Sequence, residues 1–255
     1  LPNGEHFDCT DLQGNTIQDD LFQRDFTINA MGQELSNFLG EKKKIIDPLE
    51  GQKDIEKKSI RSTSSYSLKS DPLRMLRAFR FAATLNFTID EKTLKEISIN
   101  KEDIEVTAKE RVWQEFFNFF SASNTGKLIR AMKETGLLLC LLPSPFPEWE
   151  KLSIHYNRLE HILLNMDSYF PGRNLNLPEK ALIKLALLLK EIDSNPLDNI
   201  NNKNWGLPNT YEFLRSLKVS NNDITFICKS IQNFHLLSTS LSSNLNDSSL
   251  YDICT

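Results

Sequence analysis

The chain has 255 residues, 40% hydrophobic and 25% charged, which is ordinary for a soluble globular protein and enough for one large domain or two to three small modules. Its net charge of −4 argues against a uniformly basic nucleic-acid binder, although eleven basic residues face six acids between Glu41 and Arg80. No apolar run approaches the roughly 18 residues that would read as a membrane span.

In chain order, the opening LPNGEHFD reads as a strand, so a start within a domain is expected. Thr27 to Met31 fits strand or helix by pattern, with a short helix preferred. Ile45-Ile46 and Ser59 to Thr63 read as short strands bounded by turn signals. From Ser70 the period becomes helical. Ser70-Asp71-Pro72 supplies a capping side chain followed by a proline, and the helix should run to about Leu85. Met75, Leu76, Phe79, Ala82 and Ala83 form its apolar face. Thr88-Ile89-Asp90 begins another helix, capped by Asp90. The TAKE sequence at Thr107 predicts a capping box for a third, and a fourth covers Gly126 to Leu139. Pro143 to Pro147 break the chain. Helices follow near Asn157–Tyr169, Pro178–Ile192, Asn209–Leu217 and Asn221–Leu237, with a polar loop, SNPLDNINNKNWGLPN, between two of them. The Ser/Asn-rich end stops without a capping pattern.

Cys9, Cys140, Cys228 and Cys254 contain no CxxC pair, which argues against a zinc site or disulfide framework and suits a reducing cytoplasm. His155 and His161 are six apart, not the three or four that would share a helix face.

Four stretches carry chemistry: Asp19 to Met31 (DDLFQRDFTINAM), Ile45 to Gly51 (IIDPLEG) with Ile60-Arg61, Ser70 to Ala83 (SDPLRMLRAFRFAA) and Thr107 to Glu115 (TAKERVWQE). In the third, Asp71 and Arg74 are three apart, as neighbours on a helix face are. Cytosine and adenine both present an exocyclic amine donor beside a ring-nitrogen acceptor. A carboxylate can accept from the amine while a guanidinium donates to the ring nitrogen. Uracil and guanine reverse that pattern and would leave both side chains mispaired, at on the order of 1–3 kcal/mol for each unsatisfied group. Taken alone, Asp71 also fits a helix cap, and the pair a surface salt bridge. Arg111 and Glu115, at i and i+4, fit a structural helix pair.

The order and wording of the four stretches resemble the class II tRNA nucleotidyltransferases and bacterial poly(A) polymerases. In that family an RRDFTINA motif, an IIDPxxG turn, an EDPLRxLRAxRFAA helix and an ERxxxE helix succeed one another. The resemblance covers roughly Asp19 to Leu137. It implies an α+β fold: the end of a nucleotidyltransferase head over residues 1–63, a helical neck over 64–142 and a helical body over 143–255. It also implies CTP and ATP as substrates, the tRNA 3′ end as partner, and addition of C and/or A without a nucleic-acid template. Poly(A) polymerase and non-catalytic RNA-binding relatives are the alternatives. An appended HD-type phosphohydrolase is disfavoured, since LALLLKEID near Leu185 to Asp193 has no histidine. By resemblance, Asp71 and Arg74 are the protein template for the incoming base. Arg24 binds the nucleotide, Asp25 and Asn29 favour ribose and hold the site's shape, and Arg77 and Arg80 assist nucleotide binding.

Gln23 stands where the family often has the first of two arginines, and Ser70 where it often has a glutamate. Neither is expected to touch Asp71 or Arg74 directly. The family's two metal-binding aspartates, spaced D-x-D after a Gly-Gly motif and holding Mg²⁺, have no counterpart before Asp19. Asp8 and Asp11 have the wrong spacing. The metal ligands are therefore expected upstream of Leu1, no residue here is named as catalytic or metal-binding, and these residues alone are expected not to catalyse.

Overall fold

The computed structural model describes residues 10–34, 44–143, 149–193 and 205–242. Leu1 to Asp8, Cys9, Cys254, the centre of the Pro143–Pro147 break, most of the polar loop and the far end of the Ser/Asn-rich tail lie outside them.

The first part is built from short pieces. Helix α1 (Ile17–Gln23) opens on a capping box: Thr16 accepts from Asp19 N, and the Asp19 carboxylate accepts from Thr16 N. A 3₁₀ turn, Thr27–Asn29, stands where a short helix was expected. Strands β1 (Gly32–Gln33) and β2 (Ile45–Ile46) pair antiparallel, with Gly32 opposite Ile46. After α2 (Gly51–Glu56), strand β3 (Ser59–Ile60) pairs parallel with β4 (Thr88–Ile89). Thr88 and Ile89 therefore form a strand, not the first residues of a helix. An isolated bridge joins Phe26 to Ser62.

Gly51 is needed where α2 meets the 3₁₀ turn. A Cβ there would lie 2.1 Å from the Thr27 carbonyl oxygen, a backbone atom that cannot swing aside. Gly51→Ala is expected to cost about 1–3 kcal/mol, read as a lower urea midpoint at unchanged slope. An unaltered midpoint would contradict this packing.

The rest is helical. A short helix, α3 (Ser67–Ser70), precedes α4 (Leu73–Leu85), and the expected apolar face of α4 is buried. Ser70 is not its cap. The Ser70 hydroxyl donates back to Ser67 O, and Asp71 Oδ1 accepts from Leu73 N instead. Asn86, at φ 55°, ends α4 in the left-handed region. Asp90 caps α5 (Glu91–Asn100) as expected, accepting from Lys92 N and Thr93 N.

The TAKE capping box does not form. Helix α6 (Lys109–Ser121) starts after Ala108 without a side-chain cap, and Thr107 Oγ1 is buried without a hydrogen-bond partner. The expected fourth helix is two, α7 (Gly126–Glu134) and α8 (Leu137–Leu141), split at Gly136 with φ 80°. Helix α9 (Trp149–Leu164) begins earlier than expected. It is followed by α10 (Met166–Tyr169), α11 (Leu177–Leu189), α12 (Pro208–Ser216) and α13 (Asn221–Ser242).

Helix α6 is the hub. Its Val112, Phe116, Phe119 and Phe120, at helical spacing, are buried where α4 packs on one side and α11 on the other; α11 in turn packs on α13. The α+β expectation therefore holds, with short strands before a helical body. Among the described residues no helix is long and apolar enough to cross a membrane.

Candidate functional site

A polar cavity of about 440 Å³ opens between the end of α1 and the start of α4. Arg24, Asp25, Asn29, Asp71, Arg74 and Arg77 line it, together with Gln13, Asp20 and Gln23. Two stretches separated by some forty residues thus meet at one site. Arg80 is not among its lining residues. It borders a second cavity, with Asn118 and Asn124.

Backbone and hydroxyl contacts hold the two walls together. Thr63 Oγ1 and Ser67 Oγ donate to Arg24 O at 2.6 and 3.3 Å, and Thr63 N donates to Asp25 O at 3.2 Å. Arg74 completes the stitch: Nη2 donates to Gln23 O at 2.8 Å, while Nη1 donates to Ser67 Oγ at 2.9 Å and Ser70 Oγ at 3.3 Å. The expectation that Gln23 and Ser70 stand clear of the template is therefore corrected. Both positions that depart from the family pattern touch Arg74, one through its carbonyl and one through its hydroxyl.

Asp71 and Arg74 share the cleft but not a helix face, because Asp71 is extended (φ −142°, ψ 99°) and precedes α4. Their side chains have separate partners. Asp71 Oδ2 accepts from Arg111 Nη2 at 2.9 Å, so Arg111 pairs with Asp71 and not with Glu115. Glu115 instead binds Arg77 Nη1 at 3.3 Å and Arg80 Nε.

The remaining arginines are also matched with acids. Arg24 Nη2 lies 2.7 Å from Asp20 Oδ2, and Arg77 Nη2 lies 2.7 Å from Asp25 Oδ2. Burial alone would lower the Arg77 pKa, but Asp25 and then Glu115 outweigh it and raise it above the ordinary guanidinium value. Hydrogen bonds from Gln13 N and Arg24 hold the Asp20 carboxyl below the usual carboxylate range. Asn29 Oδ1 and Asp25 Oδ1 both accept from Phe26 N. Arg80 sits 4.0 Å from the Phe81 ring centroid, in cation–π contact. Among the described residues, Arg74 is the arginine of the cleft without a carboxylate partner; only neutral oxygens hold it.

The motif reading missed Arg111, Ser67 and Thr63. Arg111 carried a signal, since it is the arginine of the ERxxxE motif that Glu110 opens. Ser67 and Thr63 act through hydroxyls on backbone carbonyls, which no spacing announces. The residues described do not fit a Mg²⁺ site. Among the described residues no group of three His, Cys, Asp or Glu side chains is placed to hold a metal, Asp19 is engaged as a helix cap and Asp20 by Arg24.

Residues 4–61 match the family described as "Poly A polymerase head domain", and residues 86–148 match "Probable RNA and SrmB-binding site of polymerase A". A "Multifunctional CCA protein" of Neisseria meningitidis is 42% identical over 130 residues, half of this chain and 30% of that protein. A "CC-adding tRNA nucleotidyltransferase" of Shouchella clausii is 36% identical over 132 residues, 51% of this chain and 34% of that protein. In fold, the chain is similar to the Thermotoga maritima CCA-adding enzyme solved with tRNA: TM-score 0.70 and 24% identity, over 93% of this chain and 53% of that one. The two matched family models and the two curated relatives support a likeness of these parts of the chain to the class II tRNA nucleotidyltransferases and poly(A) polymerases. The matches span about a third of the length of these curated relatives and little more than half of the solved one.

Proposed function

We propose that the full-length protein is a template-independent RNA nucleotidyltransferase. It adds C and/or A to tRNA 3′ ends in the cytoplasm from CTP and ATP, and the cleft selects the incoming base. The observation that carries this reading is the convergence of Asp71 and Arg74 in one cleft with Arg24 and Arg77 beside them. Arg74 is the natural donor to a ring nitrogen, because its charge is not offset by an acid and its plane is set by neutral acceptors. Asp71 supplies the acceptor for an exocyclic amine. We divide the chain as head, neck and body at 1–63, 64–142 and 143–255, which puts the cleft across the head–neck boundary. Arg80, outside the cleft, then acts through Glu115 rather than on the nucleotide.

A poly(A) polymerase using ATP alone is the second reading, favoured by the poly(A) polymerase descriptions of both matched families. Assays of the full-length protein with tRNA lacking CCA, tRNA ending in CC and unrelated RNA separate the two. Addition of A to unrelated RNA with no C added to tRNA would sink the tRNA reading. Asp71→Ala and Arg74→Ala are expected to relax base choice, admitting UTP or GTP, and not merely to slow the reaction. Unchanged activity and unchanged C/A preference in both variants would remove Asp71 and Arg74 as the selector.

A further inference from the structure

The Asp71 carboxylate, on the extended residue between α3 and α4, is held by a side chain of α6. Oδ1 accepts from Leu73 N at 3.2 Å and Oδ2 accepts from Arg111 Nη2 at 2.9 Å. Because the two bonds enter at different oxygens, the carboxylate cannot turn about its last torsion without breaking one of them. Each oxygen still keeps a lone pair for a further donor. The Arg111 side chain is 55% exposed and that of Asp71 30% exposed. So open an ion pair adds little to folding stability. Its effect falls on orientation, at an acceptor that lines the cleft.

We propose that Arg111 is a specificity-positioning residue: through Asp71 Oδ2 it fixes the direction in which Asp71 meets the edge of the incoming base. This role rests on the nucleotidyltransferase reading above. A fixed acceptor rewards an amine and repels a carbonyl, since it cannot turn away from the wrong group. An acceptor held by one backbone N–H relaxes instead, and the penalty against uracil or guanine shrinks. Selection of this kind depends on groups set in place before the ligand arrives. The Asp71 carboxylate and the Arg74 guanidinium, both lining the cleft, supply the chemistry, and Arg111 supplies the aim.

The test compares full-length wild type, Arg111→Ala, Arg111→Lys and Asp71→Ala with each of the four nucleoside triphosphates on tRNA lacking its 3′ end. Arg111→Ala is expected to melt like wild type while its preference for CTP over UTP, as a ratio of kcat/KM, falls about tenfold, the scale of one charge-assisted hydrogen bond. Arg111→Lys keeps a donor and is expected to recover part of that preference. In an Asp71→Ala background, Arg111→Ala is expected to change nothing further. Wild-type preference in Arg111→Ala beside a relaxed Asp71→Ala would overturn the role of Arg111 and leave the selector standing. Wild-type preference in both would overturn the selector, and this role with it.

Discussion

Glu160→Ala is expected to lower the melting temperature by about 10 °C. Glu160 and Lys184 are 6% and 4% exposed, and they join α9 to α11 and to the start of α7. Glu160 Oε1 accepts from Thr125 N at 2.7 Å, Thr125 Oγ1 at 2.8 Å and Lys184 Nζ at 2.9 Å, while Oε2 accepts from Gly126 N at 3.2 Å. Lys184 also donates to Ala122 O at 2.6 Å, and Tyr156 OH lies 2.7 Å from Thr125 Oγ1. Burial pulls the Lys184 pKa down while Glu160 opposes it, and burial pushes the Tyr156 hydroxyl well above its ordinary value. Removing the carboxylate leaves a buried ammonium and the first N–H groups of α7 without their acceptor. Breaking one side of such a pair costs about 3–5 kcal/mol, and each kcal/mol is about 2–4 °C in a chain of this size. Glu160→Gln with Lys184→Met removes both charges and keeps an oxygen for Thr125 N, so its loss is expected to be smaller. Circular dichroism melts decide the matter. A Glu160→Ala protein melting within about 2 °C of wild type would show that the cluster is not a stabilising link.

The second large effect is expected at Glu115, which ties Arg77 in the cleft to Arg80 outside it. The Arg80 side chain is 17% exposed and that of Arg77 31%. Glu115→Ala leaves Arg80 without its carboxylate and Arg77 with Asp25 alone. A stability loss of about 3 kcal/mol is expected. Once freed on one side, the Arg77–Asp25 pair shifts in the cleft wall, so CTP affinity should fall about tenfold. Urea unfolding reads the first change and calorimetric titration of CTP the second. An unchanged dissociation constant for CTP would mean that Glu115 holds helices together without shaping the cleft.

The sequence was most legible where signals are local. Asp90 caps where its position says it should, and the apolar face of α4 is buried as its period predicts. Six residues named from motif order line one cleft. The sequence was least legible where the partner comes from another element. Thr107 has the spacing of a capping box, but the helix starts one residue later, at Lys109 after Ala108, and the Thr107 hydroxyl is buried without a partner. Arg111 and Glu115 have the spacing of a helix pair, yet each faces a different acid or base on the α4 side. Lys184, in an apolar run, reads as an ordinary helix lysine until α9 brings Glu160 to it. Periodicity reports which face is inward; it does not report what waits there.

The hydrogen bond from Arg74 to the carbonyl of Gln23 closes a loop of 51 residues. Helix α4 has local reasons to form, in Asp71, Pro72 and its apolar period. Its guanidinium has near acceptors in Ser67 and Ser70, but Nη2 finds the Gln23 carbonyl only after the Gln23–Asp25 turn has docked. Closing such a loop costs entropy that no local signal offsets in advance. The cleft is therefore expected to close after the local helices form and to open before they melt. Substitutions at Thr63 or Ser67 are expected to loosen that closure while the helices remain intact.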